Sequence, residues 1–279
     1  MLIAKTNLEL HQILSLQSSN KLSIGFVPTM GALHQGHLNL VKRSQKENDF
    51  TVVSIFINPK QFNSTEDFKK YPIKTQEDVK LLESINCNLL YLPNYEEIYP
   101  QNGQNIAIDL EELNQVFEGP QRPGHFEGVV SVVYRLFELI KPNKAYFGLK
   151  DFQQCKVIYK LKETYFKNIE LVFCETTREK NGLAMSSRNS RLSEKGKILA
   201  SQIYKALLDA KSKFMETNAQ SHLAKVSEKL SQHNIEVEYF ELANAKTLKP
   251  AKVWQKPNEN VILTAVKIEN VRLIDNIVF

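Results

Sequence analysis

The sequence contains little cysteine, glycine or proline, and it has no long hydrophobic run. Its three cysteines, Cys87, Cys155 and Cys174, lie far apart without a CxxC pair, so neither a disulfide framework nor a cysteine-based zinc site is expected. Ten glycines and ten prolines in 279 residues are too few for a fibrous or low-complexity protein. No apolar run approaches the roughly 18 residues of a membrane span, and residues 1–6 lack a signal-peptide pattern, which favours a cytoplasmic protein without membrane partners.

A strong excess of one charge is also missing. Thirty-six lysines and arginines stand against 31 aspartates and glutamates, which gives a net charge of +5. The basic residues are scattered rather than gathered into a block of like charges. This mild excess suits anionic small substrates as well as nucleic acid. Charge alone therefore keeps an RNA-binding role open, as the less favoured alternative.

What is present is the composition of a folded domain, with 42% hydrophobic and 24% charged residues. Through about residue 176, short apolar runs alternate with amphipathic stretches. Strands are predicted at Ser23–Pro28, Thr51–Asn58, Asn88–Leu92, Ile106–Leu110, Lys144–Gly148 and Ile169–Glu175. Helices are predicted near Gly36–Lys46, Thr75–Ile85, Gly128–Ile140 and Phe152–Phe166. This alternation is typical of βαβ units and a parallel sheet.

The pattern changes after about Thr177. Ser193 is a plausible N-cap for a helix from Glu194 to about Glu216, and a second helix is predicted over Ala219–Gln232. Three β-rich stretches follow, at Ile235–Leu242, Val261–Ile268 and Val271–Asp275. We therefore predict an α/β protein with a Rossmann-like parallel-sheet domain over residues 1–176 and a smaller α+β domain over residues 177–279.

The strongest local signal is the segment Pro28-Thr29-Met30-Gly31-Ala32-Leu33-His34-Gln35-Gly36-His37. It follows a predicted strand and opens a helix, which is the geometry that receives a phosphate group. His34 and His37 share one face of the entering turn and are suited to donate hydrogen bonds to phosphate oxygens. Two surface histidines, or half of a zinc site, are the alternatives, although zinc lacks a third ligand nearby.

Two further segments carry polar chemistry. The segment Phe147–Gln154 again follows a strand and opens a helix. Lys150 suits phosphate, and Gln154 lies one helical turn further on the same face. Asp151 is equally well explained as a helix cap. In Met185-Ser186-Ser187-Arg188-Asn189, hydroxyls beside an arginine suit triphosphate oxygens. By itself this composition is also that of an ordinary loop.

Asn58 and Gln61 follow the most apolar predicted strand, and ligands of parallel sheets bind beyond the carboxyl ends of strands. The segment 119–126, Gly-Pro-Gln-Arg-Pro-Gly-His-Phe, places Arg122 and His125 just before a helix. A turn with solvated charge is the simpler interpretation of this second segment.

In this order, the segments resemble the pantothenate synthetase, or pantoate–β-alanine ligase, family of HxGH nucleotidyltransferases, which are relatives of the class I aminoacyl-tRNA synthetases. The matching stretches are PTMGALHQGH, SIFINPKQF, YPIKTQED, EIYP, RPGHFEGV, FGLKDFQQ, GLAMSSRN and the closing RLIDN. The resemblance implies that ATP and (R)-pantoate form pantoyl adenylate and pyrophosphate, after which β-alanine displaces AMP. It also implies Mg²⁺ accompanying ATP, a C-terminal lid domain and a homodimer.

Carried over by motif, the resemblance implies a role for each matching residue. Catalysis is assigned to His37, His34, Lys150 and Arg188. ATP contacts are assigned to Met30, Gly31, Ala32, Leu33, His34, Gln35, Gly36, His37, Gly148, Leu149, Lys150, Asp151, Thr177, Met185, Ser186, Ser187 and Arg188. Pantoate and β-alanine are assigned to Gln61, Gln154, Asn58, Arg122 and His125. Asp78 is assigned to the metal.

The sequence departs from the family pattern at Lys60, where an apolar residue is usual, and at Leu149, where glutamate or glutamine is common. Neither change removes a residue to which catalysis is assigned. Two other functions stay open at this point. One is another HxGH nucleotidyltransferase of cofactor biosynthesis, and the other is an RNA-binding relative of the tRNA synthetases.

Overall fold

The structure, a computed structural model, describes residues 1–101, 106, 108–213 and 218–279. The chain forms two compact units. The N-terminal unit comprises residues 1–111, 122–149 and 154–175, and the C-terminal unit comprises residues 112–121, 150–153 and 176–279. The domain boundary predicted at residue 176 stays a prediction.

The N-terminal unit is built on six strands: β1 (Leu2–Ala4), β2 (Ile24–Thr29), β3 (Phe50–Ile55), β4 (Leu89–Tyr91), β5 (Lys144–Gly148) and β6 (Glu170–Cys174). All neighbours pair in parallel, in the order β1-β4-β3-β2-β5-β6. The predicted Rossmann-like parallel sheet is therefore confirmed. The strand order changes direction at β2, and doubly wound sheets bind ligands beyond the carboxyl ends of the strands at such a point.

The helices connect and cover these strands. They are α1 (Asn7–Ser19), α2 (Gln35–Glu47), α3 (Thr65–Lys69), α4 (Thr75–Ser84), α5 (Tyr95–Ile98), α6 (Glu111–Asn114), α7 (Glu118–Gln121), α8 (His125–Ile140), α9 (Phe152–Tyr165), α10 (Glu194–Ser212) and α11 (Ala219–Ser231). Short 3₁₀ turns occupy Pro59–Gln61, Leu149–Asp151 and Ser187–Arg191. In the part of the chain that the structure describes, no helix combines the length and apolar character needed to cross a membrane.

The burial of each strand and helix explains which of them the sequence pattern could predict. Every residue of β3 is buried, which is why its run is almost continuously apolar. The sequence analysis did not predict β1 or α1. In α1, Leu10 and Leu14 are buried while Leu8 and Leu16 are exposed, so apolar residues on both faces obscure the helical period.

One predicted strand is wrong. Residues 106 and 108–110 of the expected strand Ile106–Leu110 carry no strand, and residue 107 lies outside the described residues. Leu110 is nevertheless buried, which shows that an apolar loop residue can imitate a strand signal. Similarly, the predicted end of α10 at Glu216 lies outside the described residues, and the helix is seen as far as Ser212.

The C-terminal unit confirms the predicted α+β character. Strands β7 (Glu236–Asn244), β8 (Asn260–Ile268) and β9 (Val271–Val278) form an antiparallel sheet in that order. Fully buried side chains from α10 and this sheet, among them Leu207, Ile262 and Val266, form its core. The closing RLIDN motif therefore lies in β9, an edge strand of this sheet.

Candidate active site

The loop that joins β2 to α2 has an unusual backbone that is held from outside the loop. Gly31 and Ala32 both have positive φ angles, +79° and +48°, a region that costs free energy for alanine. The Asp78 carboxylate compensates, because its Oδ2 accepts the Ala32 N–H at 2.8 Å and its Oδ1 accepts the Leu33 N–H at 2.7 Å. A Cβ on Gly31 would lie 3.0 Å from Asp78 Oδ2, so glycine is required for this approach.

Asp78 itself lies in the first turn of α4 and is 1% exposed. Burial raises the pKa of its carboxyl group, and the two N–H bonds oppose that shift. Each carboxylate oxygen accepts one main-chain N–H group, so the structure gives Asp78 a role in holding this loop. Its predicted role at a metal stays a prediction. Across the described residues, no three histidine, cysteine, aspartate or glutamate side chains gather as a metal site.

The histidine pair lies at the start of α2, with both side chains half-buried. The Gly36 N–H donates to Nδ1 of His34 at 3.1 Å, and the His34 N–H donates to Nδ1 of His37 at 3.3 Å. The two ring centres are 4.0 Å apart. Because each Nδ1 accepts, the neutral rings carry their protons on Nε2. Each histidine is thereby set as an Nε2–H donor at a helix N-terminus, where anions are favoured.

Gln61 lies in the 3₁₀ turn after β3, and both its side chain and its main chain are hydrogen-bonded. Its Nε2 donates to the Met30 sulfur at 2.9 Å, and its carbonyl oxygen accepts from Nδ1 of the buried His125 at 2.8 Å. Helix α8 approaches this turn closely, since a Cβ on Gly128 would lie 2.3 Å from the Lys60 carbonyl oxygen. The structure therefore brings Met30, Gln61 and His125 together.

The remaining predicted residues of the N-terminal unit differ in exposure. Asn58 has no exposed surface, and its predicted contact with substrate stays a prediction. Arg122 and Gln154 are half-buried, as are Gly148 and Leu149 at the end of β5. Among the described residues, nothing lies within 4 Å of a Cβ built on Gly148, so packing alone does not require glycine there.

The predicted residues of the C-terminal unit include two that pair directly. The Met185 N–H donates to the Thr177 carbonyl at 2.9 Å, and the Glu179 N–H donates to the Leu183 carbonyl at 2.8 Å. This small hairpin turns at Gly182, whose φ is +91°. Ser186 then follows directly, and its Oγ accepts the Arg188 N–H at 3.3 Å, which caps the 3₁₀ turn Ser187–Arg191.

The hairpin is fixed by Arg178, a residue that the sequence analysis did not single out. Its Nη1 lies 2.6 Å from Asp275 Oδ2 and its Nη2 lies 2.9 Å from Asp275 Oδ1. The guanidinium also lies 3.7 Å from the centre of the Tyr204 ring. A bidentate, stacked arginine of this kind is a precise anchor.

Two more residues of the RLIDN motif have defined partners. Arg272 makes a two-point contact with the buried Glu118 at 2.6 and 2.8 Å and a third contact with Glu238 at 2.7 Å. Asn276 donates to the carbonyl oxygen of Lys150 at 3.0 Å. Strand β9 thus holds residues 112–121 and 150–153 within the C-terminal unit, and the motif itself was the signal that could have revealed these contacts.

The predicted ATP residues divide between the units. Met30–His37, Gly148 and Leu149 belong to the N-terminal unit, and Lys150, Asp151, Thr177 and Met185–Arg188 belong to the C-terminal unit. The Lys150 side chain is 18% exposed, and its Nζ lies 3.5 Å from Asp151 Oδ1. Together, a doubly wound parallel sheet and an HxGH segment at the helix N-terminus after β2 define an α/β protein of the nucleotide-binding class.

Comparison with known proteins identifies the family. The family model described as pantoate-beta-alanine ligase matches residues 2–278, and this chain therefore belongs to that family. The pantothenate synthetase of Cytophaga hutchinsonii is 46% identical over 259 residues, covering 92% of this chain and 91% of that protein. The pantothenate synthetase of Sulfurihydrogenibium sp. is 45% identical over 271 residues, with coverages of 96% and 95%.

Solved structures agree with this assignment. The crystal structure of pantothenate synthetase from Thermus thermophilus matches with a TM-score of 0.88 and 36% identity, covering 99% of both chains. The pantoate-beta-alanine ligase of Francisella tularensis, complexed with beta-gamma ATP and β-alanine, matches with a TM-score of 0.82 and 36% identity, covering 100% of this chain and 97% of that one.

Proposed function

We propose that this protein is an ATP-dependent ligase that condenses (R)-pantoate with β-alanine to form pantothenate. The observation that carries the proposal is the HxGH pair: two Nε2–H donors at the start of α2, in a chain that belongs to this family along almost its whole length. The relative that binds ATP and β-alanine supports the same two co-substrates here.

In the first step, a carboxylate oxygen of pantoate forms a bond to the α-phosphorus of ATP while the bond to pyrophosphate breaks. The carboxylate is already a nucleophile, so the protein has to orient it and stabilise the charge that spreads over the phosphate oxygens. We assign His34 and His37 to that charge through Nε2–H. Lys150, Ser186 and Arg188 are assigned to the triphosphate.

In the second step, the amine of β-alanine attacks the acyl carbon of pantoyl adenylate and AMP leaves. The adenylate is prone to hydrolysis, so exclusion of water protects it. We assign Gln61 and Gln154 to pantoate. Neutral amides hold its oxygens without the tight ion pair that would stabilise the ground-state nucleophile.

Magnesium is expected with ATP, and it would supply charge neutralisation at the phosphates. The assignment of Asp78 to this metal stays a prediction, and both of its oxygens accept main-chain N–H groups. We further propose a homodimer with a C-terminal lid, on the resemblance alone, and a cytoplasmic location, which is the expectation from the sequence.

One assay tests the function. The protein is mixed with Mg-ATP, pantoate and β-alanine, and AMP and pantothenate are followed together, with each substrate omitted in turn. The proposal expects pantothenate and AMP in equal amounts, both requiring pantoate. AMP formation that does not depend on pantoate would contradict the proposal. Salt-sensitive RNA retention without turnover would favour the RNA-binding alternative.

A further inference from the structure

We propose that Tyr99 is a positioning residue that helps to fix which end of the Gln61 amide faces pantoate. The inference rests on the proposed function, because it deepens the role assigned to Gln61. Tyr99 closes the short helix α5 and belongs to the EIYP segment, to which the sequence analysis gave no task. It reaches Gln61 through one intermediate, the amide of Asn58.

The first link is the hydrogen bond from the Tyr99 hydroxyl to Asn58 Oδ1, at 3.0 Å. Burial raises the pKa of this phenol to about 12, so at neutral pH the oxygen keeps its proton and donates. The Lys60 ammonium lies 3.8 Å from the centre of the Tyr99 ring, a cation–π contact that helps to hold the ring in place.

The second link fixes the orientation of the Asn58 amide. Asn58 has no exposed surface, and its Oδ1 also accepts the Lys60 N–H at 3.3 Å. The Nδ2 group donates to the Gly128 carbonyl at 2.9 Å and to Gln61 Oε1 at 3.1 Å. A flipped amide would turn its N–H toward the Lys60 N–H and its C=O toward the Gly128 carbonyl, which is unfavourable in a buried site. The Tyr99 hydroxyl completes the pairing of Oδ1 in the observed orientation.

The third link determines what Gln61 offers to a ligand. Because its Oε1 accepts from Asn58, its Nε2 is the group on the other side, where it donates to the Met30 sulfur at 2.9 Å. A thioether is a weak acceptor. A carboxylate or hydroxyl oxygen of pantoate is a stronger one and would take its place. At the end of the Tyr99–Asn58–Gln61 chain, the Nε2 group of Gln61 is therefore oriented as a donor before the substrate binds.

The experiment compares Tyr99→Phe and Tyr95→Phe. Each substitution removes one tyrosine hydroxyl, and the centres of the two rings are 5.0 Å apart. Unlike Tyr99, Tyr95 is exposed. We expect Tyr99→Phe to raise KM for pantoate about tenfold, which corresponds to about 1.4 kcal/mol, with KM for ATP and the melting temperature nearly unchanged. Tyr95→Phe should behave like the wild type.

A double-mutant cycle separates positioning from a general structural effect. If Tyr99 acts through Gln61, then Tyr99→Phe should have little further effect on KM for pantoate in a Gln61→Ala background. An additive effect, or an equal rise in KM for ATP, would overturn the positioning role. So would a normal KM in Tyr99→Phe. A wild-type enzyme that does not consume pantoate would overturn the proposed function itself, and this inference with it.

Discussion

The Asp78 carboxylate accepts the main-chain N–H of Leu33 at 2.7 Å, across 45 residues of sequence. Its other oxygen accepts the N–H of Ala32. These bonds hold the loop before the HxGH helix in a left-handed conformation that alanine does not favour on its own. In the structure, the acid that the resemblance assigned to a metal anchors the loop before the HxGH helix.

Replacing Asp78 by alanine should therefore destabilise the fold and slow adenylate formation together. Each N–H left without a partner in the interior costs about 1–3 kcal/mol. Urea unfolding and pyrophosphate release measure the two effects. Excess Mg²⁺ should not restore the rate. The matched control is Glu77→Ala, which removes the exposed neighbouring acid and should change neither quantity. Rescue by Mg²⁺ would instead support the predicted metal role.

His37→Ala should leave the fold intact and reduce adenylation sharply. A preorganised donor in a dry site contributes about 3–4 kcal/mol to the transition state, so we expect a fall of about 10²–10³-fold. Single-turnover formation of pantoyl adenylate is the measurement. His11→Ala, which removes an exposed histidine of α1, serves as the control. A folded His37→Ala variant with near-normal turnover would exclude the assigned role.

Neighbouring glutamines should give opposite phenotypes. Gln153 is buried, and its amide binds the Glu118 N–H and the carbonyls of Leu113 and Val116. We expect Gln153→Ala to lower stability. Gln154→Ala should instead lose pantoate affinity by about 1–3 kcal/mol and retain ATP binding. Calorimetric titration with each ligand decides the matter, and unchanged pantoate affinity in Gln154→Ala would move the pantoate site elsewhere.

The ion pair between Arg178 and Asp275 should be important for both stability and ATP use. The Asp275 side chain is 3% exposed and the Arg178 side chain 17%, so removing one partner leaves a poorly hydrated charge, at a cost of about 3–5 kcal/mol. We expect Asp275→Ala to lower the urea midpoint and to raise KM for ATP, because the Thr177–Met185 hairpin loosens. Lys180→Ala, in the exposed turn of the same hairpin, should do neither. A raised KM without loss of stability would contradict the anchoring role.

The reactivity of the cysteine thiols should distinguish the native from the unfolded protein. Burial raises the pKa of Cys87 to about 11, so at pH 8 roughly one molecule in a thousand carries the reactive thiolate at that site. Cys155 is buried and Cys174 half-buried, and burial raises the pKa of Cys174 as well. We expect slow labelling by a thiol reagent in the native protein and rapid labelling of all three in guanidinium. Fast native labelling of Cys87 would contradict its burial.

The sequence determined that the protein has a parallel sheet and where most of its strands lie along the chain. Apolar runs such as Val52–Ile57 are legible because a strand buried on both faces excludes polar residues. The position of the HxGH segment between β2 and α2 could also be predicted from the sequence, because glycine and histidine there interrupt the strand pattern. By contrast, the short edge strand β1 and the mixed faces of α1 leave only a weak periodic signal.

The tertiary structure decided what the individual polar side chains do. Asp78 faces two main-chain N–H groups, Asn58 faces Tyr99 and Gly128, and Arg272 faces Glu118, which lies 154 residues away in the sequence. Periodicity reports only whether a residue faces water or the core, because it depends on the few residues next to it. A hydrogen bond depends on which atoms folding brings within about 3 Å. The roles of these residues therefore follow from long-range packing, which the local sequence does not contain.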